Sequence, residues 1–139
     1  MSNILIVEDN MKINNLISLH CTQEGYNVFS AFSAEQGLAL MLENRIDIIV
    51  TDLMLPGISG EEMIKQIRET SDIFIIILTA KTDIDDKLYG LTIGAADYIV
   101  KPFSSEELLL KIKNFLKRNT KTYRINLSFY EGLLVIPIE

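Results

Sequence analysis

Residues 46–57 read IDIIVTDLMLPG, and this stretch indicates the fold class better than any other. Its first part, residues 46–50, is a short apolar run of the kind found in buried β-strands. Thr51 and Asp52 end that run, and the proline and glycine that follow favour a loop. The stretch therefore predicts a buried strand with an aspartate at its carboxyl end.

The same order of apolar strand, polar break and helix recurs along the first 118 residues. Further strands are predicted at residues 4–7, 27–31, 73–78 and 96–100. A helix is predicted after each strand, and the five helices begin near Asn10, Ser33, Ser59, Thr82 and Ser104. Units of this kind favour a parallel sheet covered on both faces, so we predict an α/β fold with a doubly wound, five-stranded parallel sheet.

The first predicted helix also shows which of its faces packs on the sheet. Its apolar positions recur at helical spacing, at Ile13, Leu16, Ile17 and Cys21. Gly25 ends the helix. We therefore expect these four side chains to contribute to the core.

The composition is that of a soluble globular protein. The chain has 139 residues, of which 48% are hydrophobic and 23% charged, so one domain and the start of a second are expected. Its longest apolar run, residues 73–78, is far shorter than the roughly 18 residues that a membrane span needs, so no membrane partner is expected. A single cysteine, Cys21, excludes an internal disulfide and favours the reducing cytoplasm.

Charge and hydropathy both change near the end of the chain. Residues 1–110 carry 7 Lys+Arg against 17 Asp+Glu, whereas residues 111–139 carry 6 against 2. An acidic surface does not suit a phosphate backbone, so the body is not expected to bind nucleic acid. Beyond residue 119, alternating apolar residues on both sides of Glu131 and Gly132 predict a β-hairpin, which is too short to fold as a domain alone.

Polar residues stand at the carboxyl ends of four predicted strands, where an open parallel sheet binds its ligands. They are Glu8 and Asp9, Asp52, Thr79, and Lys101. Three carboxylates at one edge repel one another, and a cation relieves that repulsion. Oxygen ligands without His or Cys favour Mg²⁺, Lys101 supplies a point charge for a phosphate, and an aspartate can itself accept a phosphoryl group.

Five sequence fragments together resemble the response-regulator receiver domain of two-component signalling. They are Glu8-Asp9, residues 52–57 (DLMLPG), Thr79-Ala80, residues 94–98 (GAADY) and residues 101–103 (KPF). The resemblance implies a flavodoxin-like, CheY-like (βα)5 receiver over residues 1–119. Residues 120–139 resemble a linker and the first strands of a truncated OmpR/PhoB-type winged-helix DNA-binding domain.

The resemblance also assigns roles to individual residues. It implies that Asp52 is the phosphoacceptor and that Glu8, Asp9, Asp52 and the Met54 backbone carbonyl bind Mg²⁺. Lys101 would contact the phosphoryl oxygens, and Thr79 with Tyr98 would form the switch. No organic cofactor is implied, and the domain would be a signalling module that catalyses only its own phosphorylation and slow autodephosphorylation, not an enzyme.

The resemblance implies three partners as well. A sensor histidine kinase would supply the phosphoryl group, a second copy would pair through the face made by the fourth helix, the fifth strand and the fifth helix, and DNA would be bound only by the effector domain. The residues that correspond to the dimer face are Lys87, Asp97, Glu107 and Lys111. Lys111 stands where arginine is common and lacks its bidentate geometry, and Ala96 replaces a common acidic residue, so a weaker or altered dimer is expected.

Two other functions fit parts of the pattern. A Mg²⁺-dependent phosphohydrolase with an aspartyl intermediate needs a second acid near its nucleophile, but Met54 stands two residues after Asp52. A flavodoxin-type mononucleotide binder needs a phosphate-binding loop after the first strand, but residues 8–11 (EDNM) are acidic there.

Overall fold

A five-stranded parallel sheet forms the centre of the protein. The computed structural model describes residues 2–80, 97–101, 104–119, 129–130 and 133–134. The strands of the sheet are β1 (Asn3–Val7), β2 (Asn27–Ala31), β3 (Ile48–Asp52), β4 (Phe74–Ala80) and β5 (Asp97–Lys101). They lie in the order β2-β1-β3-β4-β5, and every neighbouring pair is parallel. The predicted doubly wound parallel sheet is therefore confirmed.

Four helices are described, and each begins directly after a residue that the sequence predicts as its N-terminal cap. They are α1 (Met11–Gln23), α2 (Ala34–Glu43), α3 (Gly60–Arg68) and α4 (Ser105–Asn119), which corresponds to the fifth predicted helix. The cap side chains of Asn10, Ser33, Ser59 and Ser104 each accept a hydrogen bond at 3.1 Å from the backbone N–H three residues later. The helix predicted at residues 82–91 lies outside the described residues.

The two faces of the sheet bury separate sets of side chains, because successive residues of a strand point to opposite sides. On one face Ile4, Ile6, Ile48 and Val50 pack with residues of α1 and α4. On the other face Leu5, Val7, Ile49 and Ile75 pack with residues of α2 and α3. Helices therefore cover both faces, and the central strands are apolar on both sides.

The predicted apolar face of α1 is partly wrong. Ile17 and Cys21 are buried and Ile13 packs against the core, but Leu16 is 49% exposed. Asn14 is completely buried in its place. At helical spacing, positions 14 and 16 both lie near the edge of the face that packs on the sheet. Hydrogen bonds to the ends of two strands stabilise the polar Asn14 side chain in the buried position.

Three strands end later than predicted. β3, β4 and β5 include residues 51–52, 79–80 and 101, whereas the sequence predicts that the strands end before these polar or small residues. Their backbone groups still pair with the neighbouring strands, since Asp52 is in register with Leu78 and Ala80 with Lys101. Hydrogen bonds between the backbones of neighbouring strands form whether the side chains are polar or apolar, so the strands continue through these residues.

The amino-terminal ends of the strands are held by a separate polar group. β3 begins at Ile48, two residues later than predicted, and Asp47 immediately precedes it. Its carboxylate accepts a hydrogen bond from the Asn3 N–H at 2.7 Å and lies 3.2 Å from the Arg45 guanidinium. This edge therefore has its polar groups paired within the chain.

The predicted hairpin is present at its centre. β6 (Phe129–Tyr130) and β7 (Leu133–Leu134) are antiparallel, with Phe129 in register with Leu134 and Tyr130 with Leu133. The predicted turn at Glu131 and Gly132 lies outside the described residues. In the part of the chain that the structure describes, no helix combines the length and apolarity that crossing a bilayer requires.

Thiol labelling tests the packing of α1. Burial raises the pKa of the Cys21 thiol to about 11, and the carboxylate of Glu24 adds to the shift. Because the thiolate is the reactive form, we expect Ellman's reagent at pH 8 to label the native chain roughly 100-fold more slowly than the chain in denaturant. Equal rates would contradict the burial of this face of α1.

Candidate metal and phosphorylation site

The sheet order brings the ends of β1 and β3 together. These two strands are neighbours, and Val7 is in register with Thr51. The residues that follow this pair, Glu8 and Asp52, are consequently adjacent. Strand order also changes direction here, because β2 lies on one side of β1 and β3 on the other, and such a point is where open α/β sheets bind ligands.

Three carboxylates meet at this place. Glu8, Asp9 and Asp52 each offer one carboxylate oxygen, and these oxygens all lie within 4.8 Å of one another. Glu8 and Asp52 are buried, with 1% and 7% of their surfaces exposed, whereas Asp9 is exposed. The structure thus brings together three of the residues that the sequence suggested as metal ligands.

Backbone N–H groups orient the two buried carboxylates. The N–H of Met54 donates to Asp52 Oδ1 at 2.9 Å, and the N–H of Asn10 donates to Glu8 Oε2 at 3.1 Å. The Thr51 hydroxyl donates to the Asp52 carbonyl oxygen at 2.9 Å. Hydrogen bonds to carboxylate acceptors are stronger than those between neutral groups, so the bonds from Met54 and Asn10 fix the orientation of the two buried side chains.

Gly60 is a site residue that the sequence reasoning missed. It is the first residue of α3, and its N–H donates to the Leu53 carbonyl oxygen at 3.0 Å. A Cβ atom there would lie 2.3 Å from the Asp52 carbonyl oxygen and 2.7 Å from Leu53 Cα. Only glycine therefore lets α3 approach the backbone of the proposed phosphoacceptor, and its place at the start of a predicted helix was the signal available.

The loop between β3 and α3 is also held from outside. Gly57 has φ +74°, a conformation that favours glycine, and a Cβ there would lie 2.7 Å from Glu35 Oε2. The same Glu35 oxygen accepts a long hydrogen bond of 3.5 Å from the Ile58 N–H. The first turn of α2 thus contacts the loop that contains Met54.

Two of the remaining predicted site residues, Thr79 and Lys101, have their backbones at the carboxyl-terminal edge of the sheet. Thr79 follows Leu78, the partner of Asp52, and Lys101 is the last residue of β5. Tyr98 lies further back in β5, in register with Ile77. The structure describes these three residues as backbone positions, so the proposed roles of their side chains remain predictions.

The residues assigned to a dimer face are only partly described. Asp97 begins β5, Glu107 is exposed in the first turn of α4, and Lys111 is half-buried one turn later. Lys87 lies outside the described residues. The interface itself therefore remains a prediction.

The acidic cluster fits a hard divalent cation. Its side-chain donors are all carboxylate oxygens, the ligands that Mg²⁺ takes in proteins, usually together with water and phosphate oxygens. Within the described ranges, it is also the one place where at least three acidic, His or Cys side chains converge closely enough to hold a metal ion.

Comparison with known proteins identifies the family. The family model for the response regulator receiver domain matches residues 4–113, which is most of the chain. The chain belongs to the response regulator receiver family. It is a domain of phosphorylation-dependent two-component signalling and not a classical enzyme.

Individual relatives agree with this assignment. The receiver is 47% identical over 118 residues to the response regulator ArlR of Staphylococcus aureus, covering 85% of this chain and 54% of ArlR. The chain thus spans about half the length of the curated relatives that it matches.

Solved structures show the same fold. The Francisella response regulator 1452 receiver domain is 32% identical, with a TM-score of 0.80 over 86% of this chain and 99% of its own. The chemotaxis response regulator CheY4 of Vibrio cholerae is 31% identical, with a TM-score of 0.77 over 83% and 98%. The predicted CheY-like receiver fold is therefore confirmed.

Replacing Gly60 by alanine should destabilise the protein, although this substitution usually stabilises a helix. Alanine normally stabilises a helix by up to about 1 kcal/mol relative to glycine. Here the added Cβ must displace the Asp52 backbone, so we expect Gly60→Ala to lower the free energy of unfolding by about 1–3 kcal/mol, measured by urea denaturation, and to weaken Mg²⁺ binding.

Gly25→Ala is the matched control. Gly25 has φ +92°, so alanine is strained there, yet a Cβ would meet nothing within 4 Å. It should lower stability by roughly 1–2 kcal/mol while leaving Mg²⁺ affinity unchanged. A stable Gly60→Ala variant with wild-type Mg²⁺ affinity would contradict the described contact.

Proposed function

We propose that this receiver takes a phosphoryl group from a sensor histidine kinase onto Asp52, with Mg²⁺ bound by Glu8, Asp9, Asp52 and the Met54 carbonyl. The observation that supports it most strongly is the convergence of three carboxylates at the ends of β1 and β3. A cytoplasmic location is part of the proposal and accords with the single unpaired cysteine.

The proposed reaction is a transfer of the phosphoryl group to a carboxylate oxygen. An oxygen of Asp52 forms the new bond to phosphorus while the phosphorus–nitrogen bond of a phosphohistidine breaks, and the leaving nitrogen keeps the electron pair. The hydrogen bond from the Met54 N–H orients the acceptor before the phosphodonor arrives. Mg²⁺ neutralises charge on the carboxylates and on the transferred oxygens when it is bound.

Thr79 and Lys101 are proposed to hold the phosphoryl group after transfer. Their strands end beside that of Asp52, since β3, β4 and β5 are consecutive in the sheet. The new group carries about −1.5 to −2 charges, which attract the Lys101 ammonium and the Thr79 hydroxyl. The inward movement of Thr79 would vacate space for the Tyr98 ring.

The size of the expected signal is compatible with a complete switch. Reversing a 1:99 equilibrium needs about 5.5 kcal/mol of differential stabilisation. Hydrogen bonds to charged groups contribute roughly 1.5–3 kcal/mol each. Two such bonds at the upper end of this range, or about four at its lower end, supply that difference at the phosphoryl group.

The output is proposed to be dimerisation and, in a longer protein, DNA binding and transcription. The division into a receiver at 1–119 and an effector segment at 120–139 is part of this proposal. It accords with α4 ending at Asn119 and with the antiparallel pair β6–β7 beyond it. ArlR is about twice as long as the region that it matches, which leaves room for such an effector.

The two alternative functions lack a supporting observation. Met54, at the position where a phosphohydrolase would need a second acid, is 67% exposed. The loop after β1 presents Glu8 and Asp9 to the site, and these carboxylates would repel a nucleotide phosphate that lacked a cation.

Phosphorylation with a small donor tests the proposed reaction. Incubation with acetyl phosphate and Mg²⁺ should add one phosphoryl group to the wild-type chain, measured by intact mass, and none without Mg²⁺. Asp52→Asn should take up none, because an amide oxygen is a poor nucleophile. The matched control is Asp72→Asn, at an exposed aspartate before β4, which should be phosphorylated normally. Labelling of Asp52→Asn at the wild-type level would refute the assignment.

Sedimentation of the phosphorylated chain tests the dimer face. Glu107→Lys should accept phosphate normally but lose phosphorylation-dependent dimerisation, because it reverses one charge of a proposed intermolecular ion pair. Glu106→Lys makes the same change at the neighbouring exposed residue and should still dimerise. Equal dimerisation of both variants would exclude Glu107 from the interface.

A further inference from the structure

Asn14 is a completely buried polar residue on the face of α1 that packs against the sheet. Its side-chain amide donates two hydrogen bonds, at 3.0 Å to the Glu8 carbonyl oxygen and at 2.9 Å to the Ala31 carbonyl oxygen. Glu8 directly follows β1, and Ala31 is the last residue of β2. One side chain thus joins the carboxyl ends of two neighbouring strands.

The Glu8 backbone is consequently held at both of its polar groups. Its N–H donates to the Ala31 carbonyl oxygen at 3.0 Å, and its carbonyl oxygen accepts from Asn14. The Ala31 carbonyl oxygen therefore accepts two hydrogen bonds, which uses both of its lone pairs. The strand pairing of β1 is extended by one residue, up to the point where the first carboxylate of the site begins.

The other end of the amide is held as well. Asn14 Oδ1 accepts a hydrogen bond from the Ser18 hydroxyl at 3.2 Å, and the Ser18 oxygen lies 2.8 Å from that of Ser30. A flipped amide would place Oδ1 against two carbonyl oxygens and lose both donors. The surrounding groups therefore fix the direction of the Asn14 amide.

We propose that Asn14 is a positioning residue for the metal and phosphorylation site. It holds the Glu8 backbone so that the buried Glu8 carboxylate stays beside those of Asp9 and Asp52. Without a cation these like charges favour separation, and the hydrogen bonds of Asn14 at the end of β1 oppose it. This inference rests on the proposed function, because it concerns the same three carboxylates.

The chemistry of the position favours asparagine over its alternatives. Two buried carbonyl oxygens need two N–H donors from one short side chain, and an amide supplies both. Aspartate would bring a charge and no donor, leucine would fill the space without a donor, and serine could satisfy one carbonyl. The same requirement explains why Asn14 replaces an apolar residue on this face of α1.

Magnesium titration of Asn14→Leu tests the proposal. The variant keeps the branching at Cγ with a larger, apolar side chain, and it loses both donors. Outer hydrogen-bond partners of metal ligands affect metal affinity by about 10–100-fold, so isothermal calorimetry should show Mg²⁺ binding at least roughly 10-fold weaker than in the wild type. Phosphorylation by acetyl phosphate should slow at low Mg²⁺ and recover at saturating Mg²⁺, since Asp52 itself is unchanged.

Ser18→Ala is the matched control. It disrupts the same buried polar group but leaves both bonds from Asn14 to the strand ends. It should lower stability and leave Mg²⁺ affinity within about twofold of the wild type, in keeping with a contact that stabilises the fold without orienting a ligand. Should Asn14→Leu fail to fold, Asn14→Ser retains one donor and should show an intermediate loss of affinity.

Hydrogen exchange provides a readout that needs neither metal nor phosphate. In metal-free protein the Glu8 N–H should be protected in the wild type and in Ser18→Ala, and exposed to exchange in folded Asn14→Leu. Unchanged protection and unchanged Mg²⁺ affinity in that variant, or an equal loss in Ser18→Ala, would overturn the positioning role. A wild-type chain that binds no Mg²⁺ would instead refute the proposed function, while the exchange comparison would still decide whether Asn14 holds Glu8.

Discussion

The direct pairing of β1 with β3 is the constraint on which the site depends. Parallel neighbours end at the same edge, so Glu8 and Asp52 come together through backbone register before any side chain interacts. Two like charges about 4 Å apart near a protein surface repel by about 4 kcal/mol, whereas one hydrogen bond contributes roughly 1 kcal/mol net. Several hydrogen bonds must therefore act together. The N–H groups of Met54 and Asn10 hold the carboxylates of Asp52 and Glu8, and the Asn14 amide holds the Glu8 backbone.

The apolar centre of the sheet provides the rigid base for this edge. β1 and β3 carry isoleucine, leucine and valine on both faces, and helices cover each face. Side chains in such a core are close-packed and resist displacement. The strands can therefore hold mutually repelling carboxylates at their carboxyl ends. At the amino-terminal ends, Asp47 pairs with the Asn3 N–H and the Arg45 guanidinium.

Sequence patterns predicted correctly the features that depend on residues close together in the chain. The helix starts followed from caps such as Ser33 and Ser59, which bond to an N–H three residues away. The grouping of Glu8 with Asp52 needed only the strand positions and the general rule for parallel sheets. Gly60 could not be identified, because its importance comes from a carbonyl eight residues earlier that approaches only after folding. The prediction for Leu16 is wrong, and the burial of Asn14 was missed, for a similar reason: the partners of Asn14 come from the ends of two different strands.

The loop after Asp52 is held by backbone hydrogen bonds and by apolar side chains, since Leu53 is buried and Leu55 and Ile58 pack against the core. The N–H groups of Met54, Ile58 and Gly60 make its anchoring bonds, while the side chains of Met54 and Pro56 point to solvent. Amino-acid changes at those exposed positions leave the anchors in place. The exposed side chains around Asp52 can therefore vary without loss of the backbone contacts that orient the proposed phosphoacceptor.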